Sequence, residues 1–299
     1  MTGESLALLS DVLVRATPLA LTGLAVAIAF RGGVWNIGAD GQFLAGATIA
    51  AWIGITMGSI HVALPLALLA GAGAGAVWAG IAGVMRSRFG VLEVISTIML
   101  NFVAAFGVSY LVRGPLQEPT HVYPQTSSIG DAAQLAVLVP GTRIHAGILI
   151  ALALAATAWW AMRHTAAGFR LRVTGANPFA ARSAGLVNAE RVTMRAFLLS
   201  GALAGLAGAI EVCGVTYALY ENLSPGYGYT AIAVALLARL DPLGTFVAAI
   251  LFGTLEVAAS ALQREAAIPS TTAAVVEATV ILVVIALTGW RARRVERGA

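Results

Sequence analysis

Between Asp40 and Arg86 the chain runs 45 residues without a charged side chain. A helix needs about 20 apolar residues to cross a hydrocarbon core, so this stretch alone holds two crossings. A soluble chain of 299 residues still needs a charged skin, and this one has only 32 charged residues, 11% of the total, against about 25% in a typical soluble domain. The composition is 59% hydrophobic. The chain reads as a polytopic membrane protein, all-α, because a backbone in lipid must satisfy its own hydrogen bonds and no period-2 strands appear.

Apolar segments fall at 12–30 (with Arg15 near its start), 34–57, 62–85, 91–112, 144–162, 196–218, 229–240, 243–262 and 271–290. The seventh is too short to cross unaided. Nine transmembrane segments are expected, as one transmembrane domain over 1–299. The N-terminus carries Glu4 and Asp11 and no basic region, so no cleavable signal is expected.

Charge placement orients the bundle. Arg86 and Arg88 lie between segments three and four. Loop 163–195 has six Arg against one Glu, and the tail has Arg291, Arg293, Arg294 and Arg297. These regions are expected on the cytoplasmic side. Loop 113–143, with Arg113 and Arg143 balanced by Glu118 and Asp131, is expected outside, as is 217–228. The N-terminus then lies outside and the C-terminus inside. Topology accounts for the net charge of +4, and no basic face with interleaved aromatics marks a nucleic-acid surface.

All 18 basic residues are Arg. Without Lys there is neither a GxxxxGK[ST] phosphate loop nor a Schiff-base lysine. Any ATP and Mg that drive this protein must be bound by another chain. One Cys, Cys213, and four scattered His exclude an internal disulfide and the HExxH or Cys-cluster metal motifs.

Glycine is abundant, at 33 residues. The pairs Gly71/Gly75 and Gly201/Gly205 place small residues on one helix face, where backbones can approach closely, either within the chain or as a dimer seam. Segment two opens with three Gly, Asn36, Asp40 and Gln42 in 33–42, a poor lipid-facing helix. It reads as a broken stretch against protein or a polar cavity, or as a turn with a helix cap. Glu93, Thr97 and Asn101 stack at i, i+4, i+8, a polar stripe about 12 Å long, with Ser96 beside it. It either lines a pathway or joins helices. Glu211, Glu256 and Glu277 sit singly and are candidates for pairing with Arg or backbone groups.

In loop 163–195, Asn177-Pro178 is a helix start, with Asn as cap and Pro in the first turn, and Gly185 is a stop. A short helix over 177–185 would lie on the cytoplasmic face. Residues 168–188, with Gly168, Arg172, Gly175, Asn177, Pro178, Ala180, Ala181 and Gly185, resemble the coupling loop of ABC-importer permeases of the branched-chain amino acid, sugar and nucleoside group. Stretches 33–46 (GVWNIGADGQFLAG), 90–102 (GVLEVISTIMLNF), 200–208 and 242–253 match as well. The first two look most like the nucleoside and simple-sugar branch. Many relatives have a further N-terminal helix, and its absence here fits an N-terminus outside.

The resemblance implies a type II importer-like permease in the plasma (inner) membrane of a bacterium, with no chemistry of its own. It implies a second permease subunit, homologous but different, a cytoplasmic ATP-binding subunit and an extracytoplasmic solute-binding protein, all around a lipid-embedded bundle. Arg172, Gly175, Asn177, Pro178, Ala181, Arg182 and Gly185 would form the ATPase-coupling loop. Asn36, Asp40, Gln42, Glu93, Thr97 and Asn101 are the candidate translocation-path residues. Nucleosides are the expected solute, with simple sugars and branched-chain amino acids as alternatives. The buried carboxylates and broken second segment keep an ion-coupled secondary transporter as the competing mechanism.

Overall fold

The computed structural model describes residues 3–183, 185, 188–266 and positions 275, 278, 279, 282 and 283. Apart from those five positions, segment 271–290 with Glu277, and the arginine tail, lie outside the described residues. The regular structure of the described residues is helical, with two isolated β-bridges, Gln125 to Tyr220 and Val137 to His145.

The helices are α1 (Gly3–Arg31), α2 (Ala39–Thr56), α3 (Ala63–Phe89), α4 (Glu93–Arg113), α5 (Gly147–His164), α6 (Ala166–Ala176), α7 (Pro178–Ser183), α8 (Ala189–Glu211), α9 (Tyr227–Leu237) and α10 (Pro242–Ala266). Among the described residues, six are long and apolar enough to cross a membrane: α1, α3, α4, α5, α8 with the π-helical turn that extends it to Thr216, and α10. The chain is therefore a multi-pass helical membrane protein. α1 continues through Pro18, and Thr17 Oγ1 donates to the Leu13 carbonyl one turn back.

Two helices begin inside the bundle. Segment two was expected from residue 34, yet α2 starts only at Ala39. α9 starts at Tyr227 and has 11 residues, about 17 Å of helix. The segment before it, 217–226, descends into the bundle from the end that carries 114–146, and for this reason the seventh segment is short.

The seam between α2, α3 and α8 is made by small residues. Along α3, Ala63, Ala67, Gly71, Gly75, Ala79 and Gly83 are buried at every fourth position. That stripe faces α8, and a Cβ on Gly75 would run into the Gly201 carbonyl and the Gly205 backbone. A Cβ on Gly46 of α2 would strike Gly205 as well, and one on Gly208 would strike the Phe43 carbonyl. The glycine pairs are thus an intramolecular three-helix contact, not a dimer seam. Large apolar side chains such as Leu69, Val77, Phe106 and Tyr110 point away from it.

Residues 114–146 form an irregular cap at one pole. Their amides donate inward: Thr126 to Leu219 O (2.8 Å), Ile129 to Tyr217 O (2.8 Å), Gly130 to Gly54 O (3.0 Å) and Leu135 to Cys213 O (2.7 Å). Arg113 and the Ser109 hydroxyl both donate to Glu221, which holds that carboxyl below its ordinary range. The opposite pole carries α6, α7, Arg86 and Arg88.

Candidate translocation site and coupling segment

At the centre, the chain leaves α1 through Gly32 and Gly33 and climbs through 34–38 before α2 forms. Gly33 has φ 75° and lies against Gly175, leaving no room for a side chain. Asn36 is fully buried. Its Nδ2 donates to Gln42 Oε1 (2.9 Å) and Ser200 Oγ (2.8 Å), and its Oδ1 accepts from Gln42 Nε2 (2.9 Å) and the Gly38 amide (2.9 Å). Asn101 closes the other side, with Nδ2 donating to Ile37 O (2.9 Å) and Tyr229 Oη (3.1 Å), and Oδ1 accepting from the Gly41 amide (2.8 Å). Asp40, in the first turn of α2, accepts from the Ser224 hydroxyl (2.7 Å) and the Gly228 amide in the first turn of α9 (3.0 Å). Each such group left unpaired when buried costs about 1–3 kcal/mol, so the network holds the two internal helix starts together.

Asn36, Asp40, Gln42 and Asn101 therefore meet in one cluster. Glu93 and Thr97 do not join it. Glu93 pairs with Arg86 (2.9 Å) at the α6–α7 pole, and Thr97 Oγ1 turns back to the Glu93 carbonyl (2.7 Å). The stripe faces protein rather than open space: Glu93 meets Arg86 of α3, Thr97 lies beside Gly38, and Asn101 accepts from the Gly41 amide of α2. Three members of the cluster were not singled out from sequence: Ser200, Ser224 and Tyr229. Ser200 is the hydroxyl that precedes the glycine run of α8, and Ser224 sits in a Ser-Pro-Gly turn. Tyr229 is the member that reaches the surface, with 43% exposure. Glu256, one of the single carboxylates, pairs with Arg15 at 3.5 Å.

The candidate coupling segment, 177–185, lies at the α6–α7 pole. Thr165 Oγ1 caps α6 by accepting from the Gly168 amide (3.1 Å), and Gly168 lets α6 turn tightly onto Ala161 and Met162. Asn177 Oδ1 accepts from the Phe179 and Ala180 amides (3.0 Å each), which starts α7 at Pro178. Ala181 is buried, Phe179 is 77% exposed, and Arg182 pairs with Glu190 (3.1 Å). Arg172 is exposed and Gly185 has φ 64°. A cleft of about 290 Å³ separates α7 from α3 and α8, lined by Arg86, Phe179, Arg182, Glu190, Met194 and Phe197. α6 is joined to the interior by backbone contact. A Cβ on Gly175 would overlap the Arg31 carbonyl, while Arg31 Nη2 donates to Arg239 O and Leu240 O (3.2 Å each) just past α9.

A capped helix on the Arg-rich pole is thus held by close glycine contact to the segment that leads to a central polar cluster. Residues 8–286 match the family described as the branched-chain amino acid transport system / permease component. The chain belongs to that family. Similar proteins include the glucose ABC transporter permease protein TsgB13 of Haloferax volcanii, 40% identical over 93% of this chain and 76% of the relative. The guanosine ABC transporter permease protein NupP of Bacillus subtilis is 39% identical over 90% and 78%. The nucleoside ABC transporter permease protein NupB of Lactococcus lactis is 31% identical over 88% and 75%. No solved structure matches. As a member of this family the chain is a permease component, not an enzyme.

Proposed function

We propose that this permease is one half of the membrane path of an ATP-driven importer in the plasma membrane of a bacterium, and that its solute is a nucleoside. The carrying observation is the family match across residues 8–286, joined to a central cluster built largely of amides and hydroxyls, groups suited to an uncharged, hydrogen-bonding solute. The relatives that handle guanosine and nucleosides support this choice. A simple sugar is the second reading, favoured by the glucose permease at 40% identity.

The α6–α7 pole is cytoplasmic in this reading, with nine spans, the N-terminus and 113–143 outside and the C-terminus inside. Support comes from Arg86, Arg88 and the six Arg of 163–195 sharing one pole. The solute passes the exposed edge of Tyr229, behind which Asn36, Asp40, Gln42 and Asn101 set the geometry of the α2 and α9 starts. Glu93 and Thr97 hold the inner end of α4. A second permease covers exposed helix faces, a binding protein delivers the solute, and an ATP-binding subunit grips 177–185 through Pro178, Ala181, Arg182 and Gly185. Closure of the ATPase pair pushes α7 and α6. Gly175 passes the push to Arg31 and Gly33, and so to both internal helix starts.

Uptake of labelled guanosine, glucose and leucine in a deletion strain carrying this chain with its partners tests the reading. Guanosine uptake that stops on ATP depletion is expected. Uptake that survives ATP depletion but collapses with a protonophore overturns the importer, and glucose alone overturns the nucleoside. Pro178→Leu or Gly185→Trp should leave ATP hydrolysis running while uptake is lost, and uptake at the unmodified rate would remove 177–185 from coupling.

A further inference from the structure

On the side of α8 away from α7, a second crevice of about 200 Å³ opens between α1, α5, α6 and α8. Its walls are apolar, with Ile28, Ala158, Met162, Leu171, Val192 and Leu199 among them. Several of these belong to helices long and apolar enough to cross a membrane, at the end where those helices meet α6. Two charged residues, Arg170 and Arg195, complete the lining. Both are exposed, and among the described residues neither has a carboxylate within 4.0 Å or a hydrogen bond. Arg15, Arg86, Arg113, Arg163 and Arg182 all have such a carboxylate.

The end of α5 gives the depth of this feature. Trp160 stacks on His164 with ring centroids 6.1 Å apart, and Arg163 lies 4.6 Å over the Trp159 ring. Trp at a helix end marks the headgroup level of a membrane. An apolar slot whose mouth holds two unneutralised guanidinium groups at headgroup depth has the chemistry of one molecule class: a phosphate attached to an acyl chain. Guanidinium groups bind phosphate oxygens in pairs, and basic pockets between helices on the cytoplasmic side accept anionic lipid headgroups.

We propose that this crevice is a site for an anionic glycerophospholipid, with an acyl chain against Ile28, Met162 and Leu199 and the phosphate between Arg170 and Arg195. The bound lipid wedges α6 against α8 and so supports the Gly33–Gly175 contact. The proposal rests on the membrane placement of the Arg-rich pole and not on the identity of the solute.

The test uses the whole transporter purified with its partner subunits, stripped of lipid and titrated with phosphatidylglycerol or phosphatidylcholine under native mass spectrometry. Phosphatidylglycerol should be retained in preference, and millimolar inorganic phosphate should not displace it. Each of Arg170→Gln and Arg195→Gln should weaken it about fivefold, and the pair about 25-fold. Leu199→Trp should reduce retention by filling the slot. A diazirine-tailed phosphatidylglycerol should label Ile28, Met162 or Leu199 in the unmodified protein, which keeps the test decisive if a variant fails to assemble. Equal retention of the two lipids overturns the proposal. So does unchanged binding by the double variant, displacement by free phosphate, or a cross-link from Ala167→Cys to the ATP-binding subunit that fills the slot with protein. All these readouts are independent of uptake, so a wrong solute leaves them intact.

Discussion

α8 and α4 are both apolar enough to cross a membrane, yet they are built in opposite ways. In its most apolar window α8 is 78% buried, whereas α4 is 28% buried. α8 buries Gly201, Ala204, Gly205, Ala207 and Gly208, and α4 presents Phe102, Phe106 and Tyr110 outward, the last two more than 70% exposed. In water the large apolar residues would be inside. In lipid they gain little by leaving the solvent, so what goes inside is whatever lets backbones touch or hydrogen bonds close. The one face of α4 that is buried carries Ser96, Thr97 and Asn101 together with Ala104 and Val108. Size and polarity, not hydrophobicity, sort the positions.

The contrast breaks most violently at the seam. Gly75→Leu places a side chain where Gly201 and Gly205 backbone atoms already lie. Overpacking of this kind costs about 1–3 kcal/mol when the neighbour can yield, and backbone cannot yield cheaply. The expected result is no assembled protein in detergent size-exclusion profiles, and wild-type yield would deny the seam its role.

Asn101→Leu comes next. It leaves the Gly41 amide and the Ile37 carbonyl without this partner, at about 1–3 kcal/mol for each buried group. A lower thermal midpoint of the purified transporter and changed uptake are expected together. Changed uptake with an unmoved midpoint would mean that Asn101 faces the solute, and a lowered midpoint with normal uptake that it only joins helices.

Phe106→Ala, on the exposed face of α4, should move stability by less than about 0.5 kcal/mol. A larger loss would show that this face meets a second subunit rather than lipid. The smallest effect is expected at Glu221, whose lowered pKa stabilises the cap above the unfolded carboxyl pKa. That contribution should fade as pH falls through the folded value. Glu221→Gln should flatten this acid response in proteolysis of the 114–146 segment, and an unchanged profile would detach the cap from that carboxyl.

The same contrast explains what could be seen in the sequence. Six of the nine expected spans are borne out among the described residues, legible because charge-free length is a bilayer constraint, and the caps at Asn177 and Gly185 were legible because they are local backbone chemistry. α6 was not. Its two glycines and two arginines read as loop, and it is helical because Thr165 caps it and Gly168 and Gly175 dock it on α5 and α1. The late start of α2 was legible as a broken stretch, since Asn36, Asp40 and Gln42 are too polar for lipid. Their partners were not, because Ser200, Ser224 and Tyr229 are 120 or more residues away and carry no spacing signal. Whether a polar stripe lines a path or ties helices depends on what faces it, and that is fixed only when the helices meet.

If the proposed path runs past this cluster, Asp40 has a consequence for what can pass. It lies in the first turn of α2 and accepts from the first turn of α9. Each helix start carries about half a positive elementary charge, so an ionised carboxylate between them would bring the local sum near zero. A cation or anion halfway across would find no opposite charge there to replace its lost hydration. A solute that is neutral overall and rich in hydroxyls gives up far less. The centre of this bundle is electrically level ground, and that favours cargo which brings no charge of its own.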